Sequence, residues 1–213
     1  MAGGPLRRLA YRHRWLYDSV TAVSSLSVGG TARLRRLAAD WLLAALPPGA
    51  RVLDLCCGSG EAAAPLLAAG AQVTGLDIAP RALELAARRH PRLTTVQGLA
   101  ENPPLPPGSF DGIQISLALH EFPMDERRQV LRAARRLVTA DGRLALVDLH
   151  PAGPALRLPQ QLFCHLFETE TATAFLALDL GDELRRCGWH PLRHELLAGG
   201  ALQRWLAEPL PPP

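Results

Sequence analysis

Residues 51–61 read RVLDLCCGSGE, and the fold follows from this stretch. The segment 52–55 is a short apolar run typical of a strand buried in a parallel sheet, and Asp54 places a carboxylate near its carboxyl end. The sequence CGSG at 57–60 predicts a tight turn, because glycine tolerates positive φ and lets a ligand approach the backbone closely. A helix that starts after such a turn directs free N–H groups and a positive helix end toward the ligand. The stretch therefore predicts a binding turn for a nucleotide-like small molecule.

Short apolar strands alternate with helical segments over the rest of the chain. Strands are predicted, in order, at 51–55, 72–76, 93–96, 110–119 and 144–149. Helices are predicted at 31–46, 61–69, 80–90, 125–138 and 172–187, the last one capped by Thr171. Two further strands, 190–197 and 201–206, flank Gly199-Gly200 and predict a closing antiparallel hairpin. The pattern predicts an α/β fold: a Rossmann-like, doubly wound sheet of seven strands that is mostly parallel and ends in the hairpin.

The length and composition favour one soluble domain. The chain has 213 residues, of which 48% are hydrophobic and 20% are charged, so we expect a single domain over 1–213. Within it, we expect residues 1–46 to form an N-terminal helical lid and residues 150–175 to form an insertion on the substrate side. No apolar run is long enough to span a bilayer, and no hydrophobic signal core follows the first arginines. The prediction is a cytoplasmic protein.

The charged residues and the cysteines exclude several functions. The formal net charge of +3 is too small to argue for a nucleic-acid partner. The chain has no lysine, which excludes a Schiff-base lysine and the phosphate-binding lysine of a Walker motif. None of the four cysteines has C-x-x-C spacing, so no metal site is predicted.

Asp77, at the end of the second predicted strand, helps to select the nucleotide. Ligands of a doubly wound sheet bind at the carboxyl ends of the strands, where Asp54, Asp77 and Glu101 would all lie. A carboxylate there fits the two hydroxyls of a ribose, which NAD and S-adenosylmethionine both carry. A dinucleotide fold favours G-x-G-x-x-G, but Ala63 stands at the third glycine position. The shorter turn and the strand-borne Asp54 favour S-adenosylmethionine, which has no pyrophosphate.

Three segments resemble the class I S-adenosylmethionine-dependent methyltransferases: VLDLCCGSG at 52–60, VTGLDIAP at 73–80 and GLAENPPLPPGSFDGI at 98–113. The resemblance implies S-adenosylmethionine as the cofactor. It assigns Asp54 to the methionyl end of the cofactor and Asp77 to its ribose; the alternative for both carboxylates is capping of loops at strand ends. The other cofactor-binding residues that we predict are Tyr17 in the lid, Cys56, Gly58, Gly60, Ile78, Ala100, Glu101 and Ser116.

Two positions depart from the pattern of that family. Cys56 stands where the family usually has glycine, and a small side chain is tolerated there if the backbone φ stays negative. Leu99 stands where many relatives have aspartate, so adenine recognition would rely on backbone groups near Ala100 or on Glu101. Asp111, at the start of the fourth strand, is expected to be structural.

A second resemblance is narrower and extends over most of the chain. YDSVTAVSSLSVGG, LALHEF, LVDLHP, LFETETA and LLAGGALQ resemble the cyanobacterial and plastid group related to the ubiquinone and menaquinone C-methyltransferases. The resemblance implies a prenylated quinol substrate, demethylphylloquinol, and so a step of phylloquinone synthesis. It leaves open another hydrophobic phenol, a small metabolite, or a protein that binds S-adenosylmethionine without catalysis.

Methylation of a quinol ring carbon needs no metal, but a general base would assist it by deprotonating a quinol hydroxyl. The candidates are His120 and Glu121, after the fourth strand, and His150, after the fifth. Histidine suits the role because its unperturbed pKa lies near neutrality. The alternative for each histidine is a hydrogen bond that structures its loop.

The substrate residues are predicted in the segment after His150. Glu168 and Glu170 either bind the quinol hydroxyls or merely precede a helix. Phe163 and Phe167, together with neighbouring leucines, either line an apolar entrance for the prenyl chain or pack in the core. An entrance of this kind would favour peripheral contact with a membrane, which for this group is the thylakoid.

Overall fold

The computed structural model describes residues 29–167 and 170–211. Its described part contains one seven-stranded sheet, with the strand order β3-β2-β1-β4-β5-β7-β6. The strands are β1 (Arg51–Leu55), β2 (Gln72–Asp77), β3 (Thr94–Gln97), β4 (Phe110–Ser116), β5 (Val138–Leu149), β6 (Trp189–Leu197) and β7 (Leu202–Pro209). Strands β1 to β5 run parallel, and β7 is antiparallel to both β5 and β6. The predicted fold class, including the closing hairpin, is confirmed.

Seven α-helices accompany the sheet in the described ranges. They are α1 (Thr31–Ala45), α2 (Ala64–Ala68), α3 (Pro80–Arg89), α4 (Met124–Leu137), α5 (Pro154–Phe167), α6 (Glu170–Leu176) and α7 (Leu180–Arg186). No helix in these ranges has both the length and the apolar character that crossing a bilayer requires.

The sheet separates two apolar cores, one on each face. Val52 of β1 packs with α1 and α2, whereas Leu53 and Leu55 pack with α4, α6 and α7. Strands covered on both faces need apolar residues at successive positions, which explains the run in β1. Asp54 shares its face with Val52, so its carboxylate enters the α1 and α2 side of the sheet.

The strand order places a topological switch between β1 and β4. From β1 the chain moves outward to β2 and β3, then returns to pair β4 with the other side of β1. The two connections leave a crevice at the carboxyl ends of β1 and β4, where ligands of such sheets bind. At the opposite end, Asp111 accepts hydrogen bonds from the backbone and guanidinium of Arg51, which confirms its structural role.

Helix α1 is fastened to the hairpin through Trp41. The guanidinium carbons of Arg193 and Arg204 lie 4.3 and 4.1 Å from its ring centroid. Arg204 also donates to Glu195 and to the carbonyl of Leu37 in α1. Residues 31–45 of the predicted lid therefore pack on the sheet, while residues 1–28 lie outside the described part of the chain, so the lid itself stays a prediction.

Several element boundaries differ from the prediction. Helix α2 begins at Ala64 instead of residue 61, because the binding turn continues to Ala63. Strand β5 begins at Val138, which pairs with Phe110 before a register shift. The predicted helix 172–187 is two helices, since the side chain of Asp179 accepts a hydrogen bond from the backbone of Asp182 and starts α7. Thr171 is not its cap.

Candidate active site

The binding turn follows β1 and is held against β2 by backbone hydrogen bonds. The N–H of Cys57 donates to the carbonyl of Leu76 over 3.0 Å, and the N–H of Gly60 donates to Cys57 over 2.9 Å. Gly60 has φ 78°, and a β-carbon there would lie 3.0 Å from the ring of His90. Gly58 has φ 52°, and a β-carbon there would meet nothing within 4 Å. The backbone at Gly58 is therefore open to a ligand, whereas Gly60 is required by packing.

Cys56 adopts a backbone conformation that the sequence did not predict. Its φ is 65°, so the condition for tolerating a side chain at this position, a negative φ, is not met. The left-handed conformation lets the chain turn from β1 toward β2, at a cost of about 1–2 kcal/mol for a residue that has a β-carbon. Burial, followed by the charges of Asp77 and Asp54, raises the pKa of the Cys56 thiol well above its ordinary value. The side chain is therefore a neutral thiol and not a nucleophile.

Asp54 is a buried acidic group of the crevice, with 1% of its surface exposed. Its Oδ1 accepts from Nε2 of Gln114 over 3.0 Å, while Oδ2 has no hydrogen-bond partner among the described residues. Burial raises the pKa of Asp54 to about 7, against the opposing effects of the Gln114 hydrogen bond and the Arg35 charge. A buried carboxylate oxygen without a donor is costly. The Oδ2 atom of Asp54 can therefore accept a hydrogen bond from a cationic group of the ligand.

Gln114 was missed in the sequence, although one amide inside the apolar strand FDGIQIS was a usable signal. Its Nε2 donates to Asp54 and also to the carbonyl of Ala62, over 3.0 Å in each case. The side chain thus connects β4 to the carboxylate of β1 and to the binding turn.

Asp77 closes the turn from the end of β2. Its Oδ2 accepts from the N–H of Gly58 over 2.8 Å, and its Oδ1 accepts from the N–H of Ala79 over 2.9 Å. The alternative of loop capping is therefore observed. It does not compete with ribose binding, because each carboxylate oxygen can accept a second hydrogen bond.

The adenine-side residues lie in the loops after β2 and β3. Ile78 follows Asp77 and is 62% exposed, so its side chain is accessible to a flat aromatic ligand. The N–H of Gly98 donates to the carbonyl of Asp77 and brings the segment 98–102 to the same edge. Within that segment, Ala100 is buried and Glu101 is partly exposed.

Two of the three base candidates lie in one short turn between β4 and α4. Leu119, His120 and Glu121 form a single turn of 3₁₀ helix, and His120 is buried. The Nδ1 atom of His120 lies 2.5 Å from Oδ1 of Asp148, near the end of β5. Asp148 was missed in the sequence, although its place in the apolar run LVDL resembles that of Asp54 in VLDL.

His150 has different surroundings. Its Nδ1 atom lies 2.8 Å from the carbonyl oxygen of Gly200, and its ring centroid is 6.4 Å from that of His194 in β6. It therefore packs against the C-terminal hairpin, whereas His120 contacts β5. Its role as a base stays a prediction.

Of the remaining predicted site residues, some lie in the described part of the chain and others do not. Ser116 ends β4 and is partly buried. Glu170 is exposed at the start of α6, where the carbonyl of Glu121 accepts from the hydroxyl of Thr171. Tyr17, Glu168 and the side chains of Phe163 and Phe167 lie outside the described part of the chain, so their assignments stay predictions.

The described residues fit S-adenosylmethionine. The unpartnered Oδ2 atom of Asp54 suits the ammonium of the methionyl end, and the open backbone at Gly58 leaves room for that end to approach. Asp77 offers a carboxylate for the ribose beside the exposed Ile78. Nowhere in residues 29–167 or 170–211 do three or more His, Cys, Asp or Glu side chains form a group able to hold a metal ion.

The class of protein follows from the fold, the turn and the comparisons together. A methyltransferase-domain family matches residues 52–142, from β1 into β5. An uncharacterized methyltransferase of Synechocystis is 41% identical over 198 residues, covering 92% of each chain. The chain therefore belongs to the S-adenosylmethionine-dependent methyltransferases, and S-adenosylmethionine is its methyl donor.

Other relatives carry more specific names. A 2-phytyl-1,4-naphtoquinone methyltransferase of Thermosynechococcus vestitus is 35% identical, over 74% of this chain and 70% of its own. A demethylmenaquinone methyltransferase of Paenarthrobacter aurescens is 29% identical, over 86% and 78%. Among solved structures, the fold is similar to that of the 1,6-didemethyltoxoflavin-N1-methyltransferase of Burkholderia thailandensis, with a TM-score of 0.65 and 22% identity over 99% of this chain and 92% of that one.

Replacing Cys56 tests the strain in the turn. We expect Cys56→Gly to be more stable than Cys56→Ala by about 1 kcal/mol, because both remove the thiol and only glycine relieves the positive φ. Urea denaturation of the two variants measures the difference. Ala87→Gly, on the exposed side of helix α3, is the control and should change stability in the opposite direction. Equal stability of the two Cys56 variants would contradict the inference that the positive φ at this position strains the backbone.

Asp54→Asn tests the carboxylate at the methionyl end. We expect S-adenosylhomocysteine, which shares that end, to bind roughly 10- to 100-fold more weakly, the size of a lost hydrogen bond to a charged group. Because the Asp54 pKa is about 7 in the free protein, wild-type affinity should rise from pH 6 to 8 as the carboxylate ionises, and the variant should lose that rise. Calorimetric titration measures both effects. As a control, Asp111→Asn, at the other end of the sheet, should change neither the affinity for S-adenosylhomocysteine nor its dependence on pH.

The same substitution should affect the stability of the unliganded protein. The folded-state pKa of Asp54 lies above its unfolded value, so its stabilising effect is complete below about pH 4 and is lost as pH rises through about 7. We expect Asp54→Asn to raise Tm most at pH 8 and less at pH 5, because the penalty begins above the unfolded-state pKa of about 4 and grows until the folded carboxyl ionises near 7. A lower Tm at pH 8 would show that the buried charge is compensated elsewhere.

Proposed function

We propose that the protein methylates a ring carbon of a reduced prenyl-naphthoquinone, converting demethylphylloquinol to phylloquinol. The observation that carries the proposal is a buried histidine, His120, paired with a carboxylate at the carboxyl ends of β4 and β5. Asp54 and Asp77 approach the same edge from β1 and β2. The printed names of the relatives in Thermosynechococcus and Paenarthrobacter support a naphthoquinol as the acceptor.

The chemistry assigns a limited task to the protein. Bound S-adenosylmethionine supplies an electrophilic methyl group on a sulfonium, which is a good leaving group. His120 takes the hydroxyl proton of the quinol, and the resulting phenolate makes the neighbouring ring carbon nucleophilic. As the new carbon–carbon bond forms, the bond between sulfur and methyl breaks; the ring carbon then loses its own proton and the hydroxyl regains one. Most of the remaining rate enhancement comes from alignment of acceptor and donor.

Exposed leucines on α5 support a prenylated acceptor. Leu158 and Leu162 are 77% and 59% exposed, and they lie one helical turn apart. The same helix is tied to the end of β5, because Gln160 donates to the carbonyl of His150 over 2.7 Å and accepts from the N–H of Ala152. We propose that this face guides the prenyl chain and gives the cytoplasmic protein its peripheral contact with the membrane that holds the quinol.

An assay with labelled methyl donor tests the acceptor. We expect transfer to chemically reduced 2-phytyl-1,4-naphthoquinone and none to the oxidised form, because only the quinol ring is electron-rich. Mass spectrometry locates the methyl group on carbon. His120→Ala should lower the turnover number roughly 100-fold or more, the usual contribution of a general base, without weakening S-adenosylhomocysteine binding.

Each alternative predicts a different result in that assay. Transfer to simple phenols but to no naphthoquinol would favour another hydrophobic acceptor. Tight binding of the cofactor with no turnover on any quinol would favour a protein that binds without catalysis. An unchanged turnover number in His120→Ala would remove His120 from the role of base.

Leu162→Asp tests the prenyl-binding face. We expect kcat/KM to fall at least tenfold for the phytylated quinol and to change little for a short-chain analogue, because the charge acts only on the chain. Leu192→Asp, at an exposed leucine of β6, is the matched control and should affect neither substrate. Equal losses on both substrates would indicate damage to packing and would count against the prenyl-binding face.

A further inference from the structure

We propose that Asp148 is a positioning residue that holds His120 in the tautomer with hydrogen on Nδ1, so that the proton of the acceptor is taken at Nε2. The inference rests on the proposed base role of His120. It adds a second residue to the reaction, on a neighbouring strand, that acts only through the first.

The side chain of Asp148 is fully buried and accepts four hydrogen bonds. Its Oδ2 atom accepts from the backbone N–H groups of Leu119 over 2.8 Å and His120 over 3.3 Å. Its Oδ1 atom accepts from the N–H of Leu149 over 2.7 Å and contacts Nδ1 of His120 at 2.5 Å. Three of these bonds are to the backbone, and the two from Leu119 and His120 position the turn. The fourth hydrogen bond is the one to the imidazole ring of His120.

The fourth contact fixes the proton on the ring. An ionised carboxylate has no hydrogen to donate, so the short contact requires that Nδ1 carry the hydrogen. In the neutral imidazole the lone pair then belongs to Nε2. When Nε2 takes a proton, the negative charge of Asp148 also stabilises the resulting imidazolium.

The turn that carries His120 is held from the other side as well. The guanidinium of Arg127 in α4 donates to the carbonyls of Leu119 over 3.1 Å and Phe122 over 2.8 Å. The ring of Phe175 in α6 meets the imidazole edge-on, with 6.4 Å between centroids. Asp148 and Phe175 contact the imidazole itself, and Arg127 holds the turn that carries it, as a group that transfers a proton in a fixed direction requires.

Asp148→Asn separates the positioning role from the structural one. If the amide oxygen takes the place of Oδ2, it still accepts from the N–H groups of Leu119 and His120, and the turn keeps those bonds. The amide nitrogen then takes the place of Oδ1, gives up the hydrogen bond from the N–H of Leu149 within β5 and donates to Nδ1, so the ring must move its hydrogen to Nε2. The variant is thus expected to preserve the turn and reverse the tautomer.

Nitrogen NMR of histidine-labelled protein measures the tautomer without any substrate. In the wild type we expect the His120 resonances to report hydrogen on Nδ1, and in Asp148→Asn we expect hydrogen on Nε2. His120→Gln assigns the signals among the seven histidines. Hydrogen on Nε2 in the wild type would overturn the proposal even if the variant failed to fold, and so would an unchanged tautomer in the variant.

Kinetics supply the second measurement. We expect Asp148→Asn to lower kcat roughly 100-fold with little change in KM, and to flatten the pH dependence of kcat. Glu183→Gln is the matched control, because Glu183 is also a buried acid, held by Arg128 at 2.6 and 2.9 Å. It should lower stability and leave the pH profile intact. Equal kcat losses in the two variants would overturn the positioning role.

The two measurements also separate this proposal from the proposed function. If the wild type methylates no quinol, the function fails, while the tautomer still tests what Asp148 does to His120. If quinol is methylated and the tautomer does not depend on Asp148, only the positioning role fails.

Discussion

Backbone N–H groups in the loops that leave a parallel sheet have no strand partner, and in this protein carboxylates at the strand ends satisfy them. Asp77 accepts from the turn after β1, and Asp148 accepts from the turn after β4. Each carboxylate belongs to the strand beside the one whose loop it holds. The site is therefore assembled by hydrogen bonds across adjacent strands, and its geometry depends on the strand order. A loop grafted without the neighbouring carboxylate would lack its anchor.

The strands and the turn after β1 were predicted from local sequence information, whereas the binding roles of Asp54 and Asp77 stay predictions. Asp54 and Asp77 lie 23 residues apart, with the binding turn between them at motif spacing, and the strands follow from apolar runs. The partners of the site residues were not predictable in this way. Gln114 lies 60 residues from Asp54, and Asp148 lies 28 residues from His120, so each pair depends on β4 lying between β1 and β5. A motif contains no information about register across strands.

Helix boundaries failed for a different reason. Helical periodicity continues through the segment 177–179, so the break before α7 is invisible in the apolar pattern and depends on one capping aspartate. Cys56 likewise resembles a mild substitution in the sequence, yet it occupies a backbone region that favours glycine. Cys56 has a positive φ and Asp54 a buried oxygen without a hydrogen-bond partner among the described residues, and both lie at the crevice, where strained or unpaired groups are often retained for function.

The way α1 is fastened has a consequence for synthesis on the ribosome. Trp41 lies near the start of the described fold, but the two arginines that cover its ring belong to β6 and β7. The same two strands protect the edge of β5. A nascent chain that has reached only residue 150 therefore carries the whole binding turn together with an uncovered tryptophan and an open strand edge, both of which favour aggregation. The residues that form the cofactor crevice are translated early, and strands β6 and β7, which cover Trp41 and the edge of β5, are translated last.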